Sequence, residues 1–214
     1  MFDRIAGVYD LMNSVMTAGM HQRWRERTAE LASVGPGARA LDVATGTGDL
    51  AVALAARGAD VVGVDFAEKM LELARRKAPA IDFRSGNALA LDFTDDEFDA
   101  ATVGFGARNF SDLDQGLREM ARVVKPGGRV VVLEITTPQR PPLSWFFRMW
   151  FDRVVPLIGR VAGDPDAYEY LPSSVRRFPG PQDLGARMAA AAMTDVRWIL
   201  TAGGIIAIHS GTVT

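Results

Sequence analysis

Along most of the chain, the apolar positions follow one of two patterns, and the two patterns alternate. Short, largely apolar runs predict buried strands, whereas apolar residues spaced three and four apart predict amphipathic helices. The predicted strands are Ala38–Val43, Asp60–Asp65, Ile81–Ser85, Phe98–Phe105 and Arg129–Ile135. The predicted helices between them are Asp49–Arg57, Ala67–Lys77 and Leu113–Val124. Strands that alternate with helices are typical of a parallel sheet covered on both faces, which binds ligands at the carboxyl ends of its strands.

The two flanking regions have a different pattern. Residues 1–34 carry apolar residues at helical spacing on both sides of Gly19, which predicts two helices that form an N-terminal helical cover. Residues 137–181 are rich in proline and aromatic residues and are expected to form a substrate-side insertion. After it we predict a helix at Gln182–Met193 and a hairpin of Val196–Thr201 and Ile205–Thr212 around Ala-Gly-Gly. The predicted fold is therefore α/β and Rossmann-like, with a mostly parallel seven-stranded sheet that ends in an antiparallel hairpin.

Composition narrows the classes of protein that this chain can be. With 214 residues, 48% of them hydrophobic, it fits a single domain over 1–214. It has no cysteine and two histidines, so we expect no metal site. A net charge of -2 argues against a nucleic-acid partner. The sequence shows neither a signal peptide nor an apolar run of ~20 residues, and we therefore expect a cytoplasmic protein.

The segment Leu41–Ala51, Leu-Asp-Val-Ala-Thr-Gly-Thr-Gly-Asp-Leu-Ala, predicts a strand that runs into a glycine turn and then a helix. Gly46 and Gly48 permit a sharp turn and a close approach of the backbone to a ligand. We expect Thr47 to cap the following helix. Asp65 has the spacing from Glu68 of a capping box for the next helix, and it also stands where a ribose-binding acid is expected.

Two cofactors fit this loop. Gly46-Thr-Gly48-Asp-Leu-Ala51 also satisfies the Gly-x-Gly-x-x-Ala pattern of dinucleotide-binding proteins, so an NAD(P)-dependent reductase stays open. Three features favour S-adenosylmethionine (SAM): Asp42 opens the loop, Gly86-Asn87-Ala88 follows the third strand, and the C-terminal hairpin closes the sheet. A SAM-binding protein without catalytic activity is a further alternative.

At the level of motifs, the chain resembles the class I SAM-dependent methyltransferases, and among them the demethylmenaquinone and ubiquinone C-methyltransferases. The matching motifs are Phe2–Asn13, Trp24-Arg25, Leu41–Ala51, Gly104–Asn109, Val124–Arg129, Leu133-Glu134 and Gly203–Gly211. Ala44 departs from the pattern, because the wider superfamily usually has a glycine there. Gly104 departs as well, since the quinone-methylating group often has a serine there.

The resemblance implies a role for three sets of residues. The implied catalytic residues are Arg108, Asn109 and Tyr9. The implied cofactor-binding residues are Asp42, Thr45, Gly46, Thr47, Gly48, Asp65, Phe66, Asn87 and Ala88. The implied substrate-binding residues are Asn13, Trp145 and Trp150.

The implied reaction moves the methyl group of SAM to a ring carbon of demethylmenaquinol and gives menaquinol and S-adenosylhomocysteine. The benzoquinol precursor of ubiquinone, or another small phenol, is the alternative substrate. Arg108 is expected to stabilise a phenolate, because a guanidinium does not accept a proton. The proton would then be relayed by Tyr9 or a bound water. A polyprenylated quinol would bind Leu143–Ile158, whose aromatic residues also suit peripheral contact with the inner face of the membrane. The resemblance leaves room for a homodimer.

Overall fold

The computed structural model describes residues 19–138, 141, 143–149 and 172–214. Tyr9, Asn13 and Trp150 lie outside the described residues. So do the first of the two predicted N-terminal helices and most of the predicted 137–181 insertion.

A seven-stranded sheet forms the centre of the molecule, in the order β3-β2-β1-β4-β5-β7-β6. Its strands are β1 (Arg39–Val43), β2 (Asp60–Asp65), β3 (Asp82–Ser85), β4 (Phe98–Gly104), β5 (Val124–Ile135), β6 (Met193–Thr201) and β7 (Ile206–Val213). The first five strands pair in parallel, and β7 runs antiparallel to both β5 and β6. The predicted fold class is thus confirmed, including its C-terminal hairpin.

The described helices lie between and beside these strands. They are α1 (Met20–Leu31), α2 (Asp49–Ala55), α3 (Glu68–Lys77), α4 (Leu113–Arg122), α5 (Leu143–Met149) and α6 (Pro181–Ala190). Residues 172–177 are also helical, and Ala107–Asn109 and Ala202–Gly204 form short 3-10 turns. In the described ranges no helix has both the length and the apolar character needed to cross a membrane.

Two hydrophobic clusters pack on the two faces of the sheet. One contains Leu54 of α2 and Leu71 of α3, and Trp24 of α1 joins them. The other contains Leu117 of α4 and Met188 of α6. Because successive strand residues point to opposite faces, β1 contributes to both clusters. This packing holds the strand ends in place, and these ends carry the site described below.

Several predicted boundaries differ from those in the structure, and two of the differences have a clear physical reason. The last parallel strand was predicted at Arg129–Ile135, but β5 begins at Val124. Lys125-Pro-Gly-Gly128, which separates the predicted helix from the predicted strand, lies within β5 as an irregularity in the pairing with β4. Gly127 has φ +82°, and a Cβ on Gly128 would lie 2.6 Å from the Asp99 carbonyl oxygen. Glycines at these positions let the chain bulge and remain in the sheet. The predicted helix Gln182–Met193 ends at Ala190, because Ala192 takes a left-handed φ of +61° and Met193 already pairs with Val213.

The predicted caps of α2 and α3 were also wrong. The N-cap of α2 is Gly48 and not Thr47, and it makes no side-chain cap bond. The N-cap of α3 is Ala67, so Asp65 and Glu68 do not form a capping box. The carboxylate of Asp65 has other partners, which belong to the candidate site.

Candidate functional site

A cavity of about 200 Å³ opens at the carboxyl ends of β1, β2, β3 and β4. The structure brings most of the proposed cofactor residues to its wall. Those that line it are Asp42, Thr45, Gly46, Thr47, Asp65, Phe66, Asn87 and Ala88, and the proposed catalytic residue Asn109 lies there too. The cavity thus stands at the edge of the sheet where the sequence places ligand binding.

The two glycines of the loop have different roles. Gly46 has φ +57°, and nothing lies within 4 Å of the position where a Cβ would be. Gly46 also lines the cavity, so the open space beside it is available to a ligand. Gly48 has φ +81°, and a Cβ there would lie 2.8 Å from Cζ of Phe83. Gly48 is therefore needed for packing, whereas Gly46 leaves room for close approach to the backbone.

Asp65 fixes the glycine loop to the end of β2. Its Oδ2 accepts a hydrogen bond from the Gly46 amide at 2.8 Å, and its Oδ1 accepts one from the Ala67 amide at 2.9 Å. The side chain is buried but lies on the cavity wall. Two backbone donors on one carboxylate fix its orientation at the cavity wall.

Asp42 is a buried acid at the end of β1. It accepts hydrogen bonds from the hydroxyls of Thr45 at 2.6 Å and Thr102 at 2.8 Å. Burial raises the pKa of this carboxyl to about 6, although both hydroxyls act in the opposite direction. Asp42 thus ties the glycine loop to β4 through side chains alone.

The residues after β2 and β3 form the far wall of the cavity. Oδ1 of Asn87 accepts a hydrogen bond from the Leu89 amide at 2.9 Å, which is an Asx turn. Phe66 is 68% exposed and stands on the cavity wall, where its ring can contact a flat ligand group.

Arg108 makes a buried ion pair with Glu134. Nη1 of Arg108 lies 2.9 Å from Oε2 of Glu134 and donates a hydrogen bond to the Phe105 carbonyl oxygen at 2.6 Å. Both side chains are almost completely buried. The Arg108 amide also bonds Oε1 of Glu134 at 3.2 Å. The pair therefore fixes the turn Ala107–Asn109, which places Asn109 on the cavity wall.

Trp145, on α5, is 73% exposed, whereas Ser144 and Phe147 of the same helix are buried. Among the described lining residues of the cavity Trp145 does not occur. The structure therefore does not connect this proposed substrate residue to the site directly.

Three charged residues of the site, Arg25, Asp49 and Glu134, were missed as functional candidates. Arg25 of α1 lines the cavity, although an arginine in a polar helix usually indicates a solvated face. Glu134 lies in the apolar run of β5, where a buried acid requires a partner, and this was the available signal. The spacing of residues in the sequence could not identify Arg108 as the partner of Glu134, because the two meet only through the pairing of β4 with β5.

The charges of the cavity fit SAM. Asp42, Asp49 and Asp65 are three acids on its wall, and SAM carries a sulfonium and an ammonium group beside one carboxylate. The open space at Gly46 permits the close approach that such a ligand makes to the loop. Within the described ranges, no group of three or more histidine, cysteine, aspartate or glutamate residues is arranged to hold a metal ion.

Comparison with known proteins identifies relatives over almost the whole chain. Residues 1–213 match the ubiE/COQ5 methyltransferase family. The demethylmenaquinone methyltransferase of Thermus thermophilus is 48% identical, and the alignment covers 99% of each chain. The demethylmenaquinone methyltransferase of Roseiflexus castenholzii is 45% identical over 99% of this chain and 91% of the relative.

Solved structures share the fold at lower sequence identity. A SAM-dependent methyltransferase from Thermotoga maritima has a TM-score of 0.66 at 19% identity, over 100% of both chains. A SAM-dependent methyltransferase from Aquifex aeolicus has a TM-score of 0.65 at 17% identity, over 89% of both chains. The fold, the cavity and the full-length match agree, and the chain belongs to the ubiE/COQ5 family of SAM-dependent methyltransferases.

Proposed function

We propose that this protein transfers the methyl group of SAM to a ring carbon of demethylmenaquinol and so forms menaquinol. The observation that carries the proposal is the similarity, over 99% of the chain, to proteins named demethylmenaquinone methyltransferase at 42–48% identity. The cavity supports it, because acids and an open glycine loop meet where class I methyltransferases bind their cofactor.

Asp65 would bind the ribose hydroxyls of SAM, and Gly46 would contact the methionine part through its backbone. Asn87, Ala88 and Phe66 would surround the adenine. When bound, SAM supplies an electrophilic methyl group on sulfur. The chain has to bring a nucleophilic carbon in line with that group, and such alignment provides a large part of the rate enhancement of many transfers.

Deprotonation of a quinol hydroxyl makes the ring carbon nucleophilic. A phenol has a pKa near ~10, so the site must stabilise the phenolate. Arg108 is the proposed source of that stabilisation. Among the described residues that line the cavity, its neighbour Asn109 occurs and Arg108 does not, so Arg108 would act from behind the wall. Because Glu134 neutralises much of the charge of Arg108, the field at the cavity depends on both residues. Tyr9 or a bound water would relay the proton to the solvent, and Asn13 would contact the quinol.

The polyprenyl tail needs an apolar surface outside the cofactor cavity. We propose that the segment with Trp145 and Trp150 provides it and that the same surface contacts the cytoplasmic face of the membrane from which the quinol is collected. The exposed indole of Trp145 supports this role. We also propose that the protein forms a homodimer, and a measurement of its molar mass in solution tests this.

The proposal is tested by incubating the purified protein with SAM and demethylmenaquinol under reducing conditions. Mass spectrometry should show menaquinol and S-adenosylhomocysteine in equal amounts. If the protein methylated the benzoquinol precursor of ubiquinone and not demethylmenaquinol, its role would be in ubiquinone synthesis. Binding of SAM without turnover of either quinol would leave only the binding protein, and the proposed activity would be wrong. In cells that lack the protein, demethylmenaquinone should accumulate.

A further inference from the structure

Arg25 is a buried cation on the wall of the cofactor cavity. It belongs to α1, and its side chain is only 10% exposed. Among the described residues that line the cavity, Arg25 carries the sole positive charge, against the acids Asp42, Asp49 and Asp65. A buried guanidinium needs strong partners, since its desolvation is costly.

The contacts of Arg25 use only part of its guanidinium. Nη1 lies 3.2 Å from Oδ2 of Asp49 and is hydrogen-bonded to Nδ1 of His21. The guanidinium of Arg25 also lies near the ring of Phe105, whose centroid is 5.9 Å from Cζ of Arg25. Among the described residues, none makes a hydrogen bond with Nε or Nη2 of Arg25. Two parallel donors of this kind match the geometry of a carboxylate.

Arg25 and Asp65 both line the cavity, on opposite sides of the glycine loop in the strand order. Asp65 ends β2, whereas Arg25 lies beside Phe105, which follows β4. Because β2 and β4 pair with opposite edges of β1, the glycine loop after β1 separates the two side chains. A ligand that fills this cavity thus meets an acid on one side of the loop and a cation on the other.

We infer that Arg25 binds the α-carboxylate of the methionine part of SAM. This inference rests on the proposed function, because it takes SAM as the ligand. SAM carries its ribose hydroxyls and its amino-acid group at opposite ends, which matches the positions of Asp65 and Arg25. Asp49 holds the guanidinium in place, and Lys77 binds the same carboxylate at 2.6 Å, so Asp49 stays paired when Arg25 is replaced.

The test combines a change in the protein with a change in the ligand. S-adenosylhomocysteine and its decarboxylated analogue, 5′-(3-aminopropylthio)adenosine, differ only in the carboxylate. Calorimetry gives the Kd of each for the wild type and for Arg25→Met, which keeps the aliphatic part of the side chain. Arg27→Met is the matched control, because Arg27 lies on the same helix, is half exposed and pairs with Glu30.

The wild type and Arg27→Met should bind S-adenosylhomocysteine at least about 10-fold more tightly than the analogue, as expected for a charge-assisted carboxylate contact. Arg25→Met should lose this preference while its Kd for the analogue changes by less than about threefold. Arg25→Lys should keep part of the preference, and it serves as the test variant if Arg25→Met does not fold.

An unchanged preference in the Arg25 variants would overturn the inference, as would equal affinities of the wild type for the two ligands. Both results would leave SAM binding intact and would not affect the proposed function. Failure of the wild type to bind S-adenosylhomocysteine at all would instead contradict the proposed function itself.

Discussion

Asp42 couples the stability of the glycine loop to pH. Its carboxyl is buried, and its pKa rises from 3.8 to about 6 in the folded protein. Between these values the folded state binds more protons than the unfolded state, so the free energy of unfolding falls as the pH rises. Once the pH is above 6, the raised pKa of Asp42 lowers the free energy of unfolding by about 3 kcal/mol.

We therefore predict that Asp42→Asn becomes more favourable relative to the wild type as the pH increases. The difference in unfolding free energy between the two proteins should shift by about 3 kcal/mol between pH 3.5 and pH 7 in favour of the variant. Urea unfolding at a series of pH values measures it. A difference that does not vary with pH would show that Asp42 is ionised normally in the folded state.

Arg108 and Glu134 allow electrostatic and structural roles to be separated. We predict that Arg108→Ala lowers kcat/KM about 100-fold and changes the Kd for S-adenosylhomocysteine by less than about threefold. Glu134→Gln keeps the cation of Arg108 and should lower kcat/KM less than about 10-fold. Both variants should lose about 3 kcal/mol of stability, because each leaves a buried charge without its ionic partner.

Steady-state kinetics of both variants, at a temperature where circular dichroism shows them folded, gives the comparison. Equal losses of kcat/KM would mean that Arg108 acts only by holding the turn Ala107–Asn109.

The residues of the site differ in how far the sequence could identify them. Asp65 and Gly46 belong to one βαβ unit, whose local pattern fixes where they meet. Arg25 reaches the cavity only because α1 packs beside α2, and the bond from Asp42 to Thr102 depends on the pairing of β1 with β4. Such contacts join distant parts of the sequence, and no short-range pattern encodes them.

Ala44 shows how one departure from a motif is accommodated. It takes φ +52°, a left-handed conformation that explains the glycine usual at this position. A Cβ on Gly106 would lie 2.5 Å from Cβ of Ala44, so Gly106 provides the space that Ala44 requires. From the sequence alone, Ala44 was visible as a departure but its compensation was not.

At the level of elements, the turn between β1 and α2 should still fold with a Cβ at Gly46, but it should bind SAM more weakly. Gly46→Ala should lose about 1 kcal/mol of stability, because an alanine in the left-handed region is strained. Its methyl group would enter the cavity, and the affinity for SAM should fall about 10-fold or more. Gly37→Ala is the matched control, since Gly37 also has positive φ and nothing within 4 Å.

Calorimetry with SAM and thermal unfolding of both glycine variants provide the two measurements. If Gly37→Ala lost as much affinity as Gly46→Ala, general strain rather than contact with the ligand would be the cause.

The helix α5 gives a prediction on the substrate tail. If Trp145 contacts the tail, Trp145→Ala should raise KM about 5- to 10-fold for a long-tailed demethylmenaquinol and leave KM for a tail-less naphthoquinol nearly unchanged. Trp198→Ala is the control, because Trp198 is a partly exposed indole on β6. Equal effects of Trp145→Ala on both substrates would show that the indole does not bind the tail.

At the scale of the whole molecule, the ligand should stabilise the fold. SAM at 100 times its Kd contributes about 2.7 kcal/mol, which corresponds to a rise in Tm of about 5–10 °C for a domain of this size. NAD at the same concentration should leave Tm unchanged. Differential scanning calorimetry distinguishes the two, and protection by NAD alone would contradict the cofactor assignment.

The position of β7 sets the order in which the sheet can be completed during synthesis. β7 follows β6 in the chain but lies between β5 and β6 in the sheet. A chain that ends after β6 therefore carries a strand with no partner in the sheet, and β5 has an open edge. Open edges are templates for aggregation, and β6 carries exposed Trp198, Ile199 and Leu200. Translation that stops within Ala202–Gly204 leaves both edges open, so messages interrupted there should yield insoluble or rapidly degraded chains.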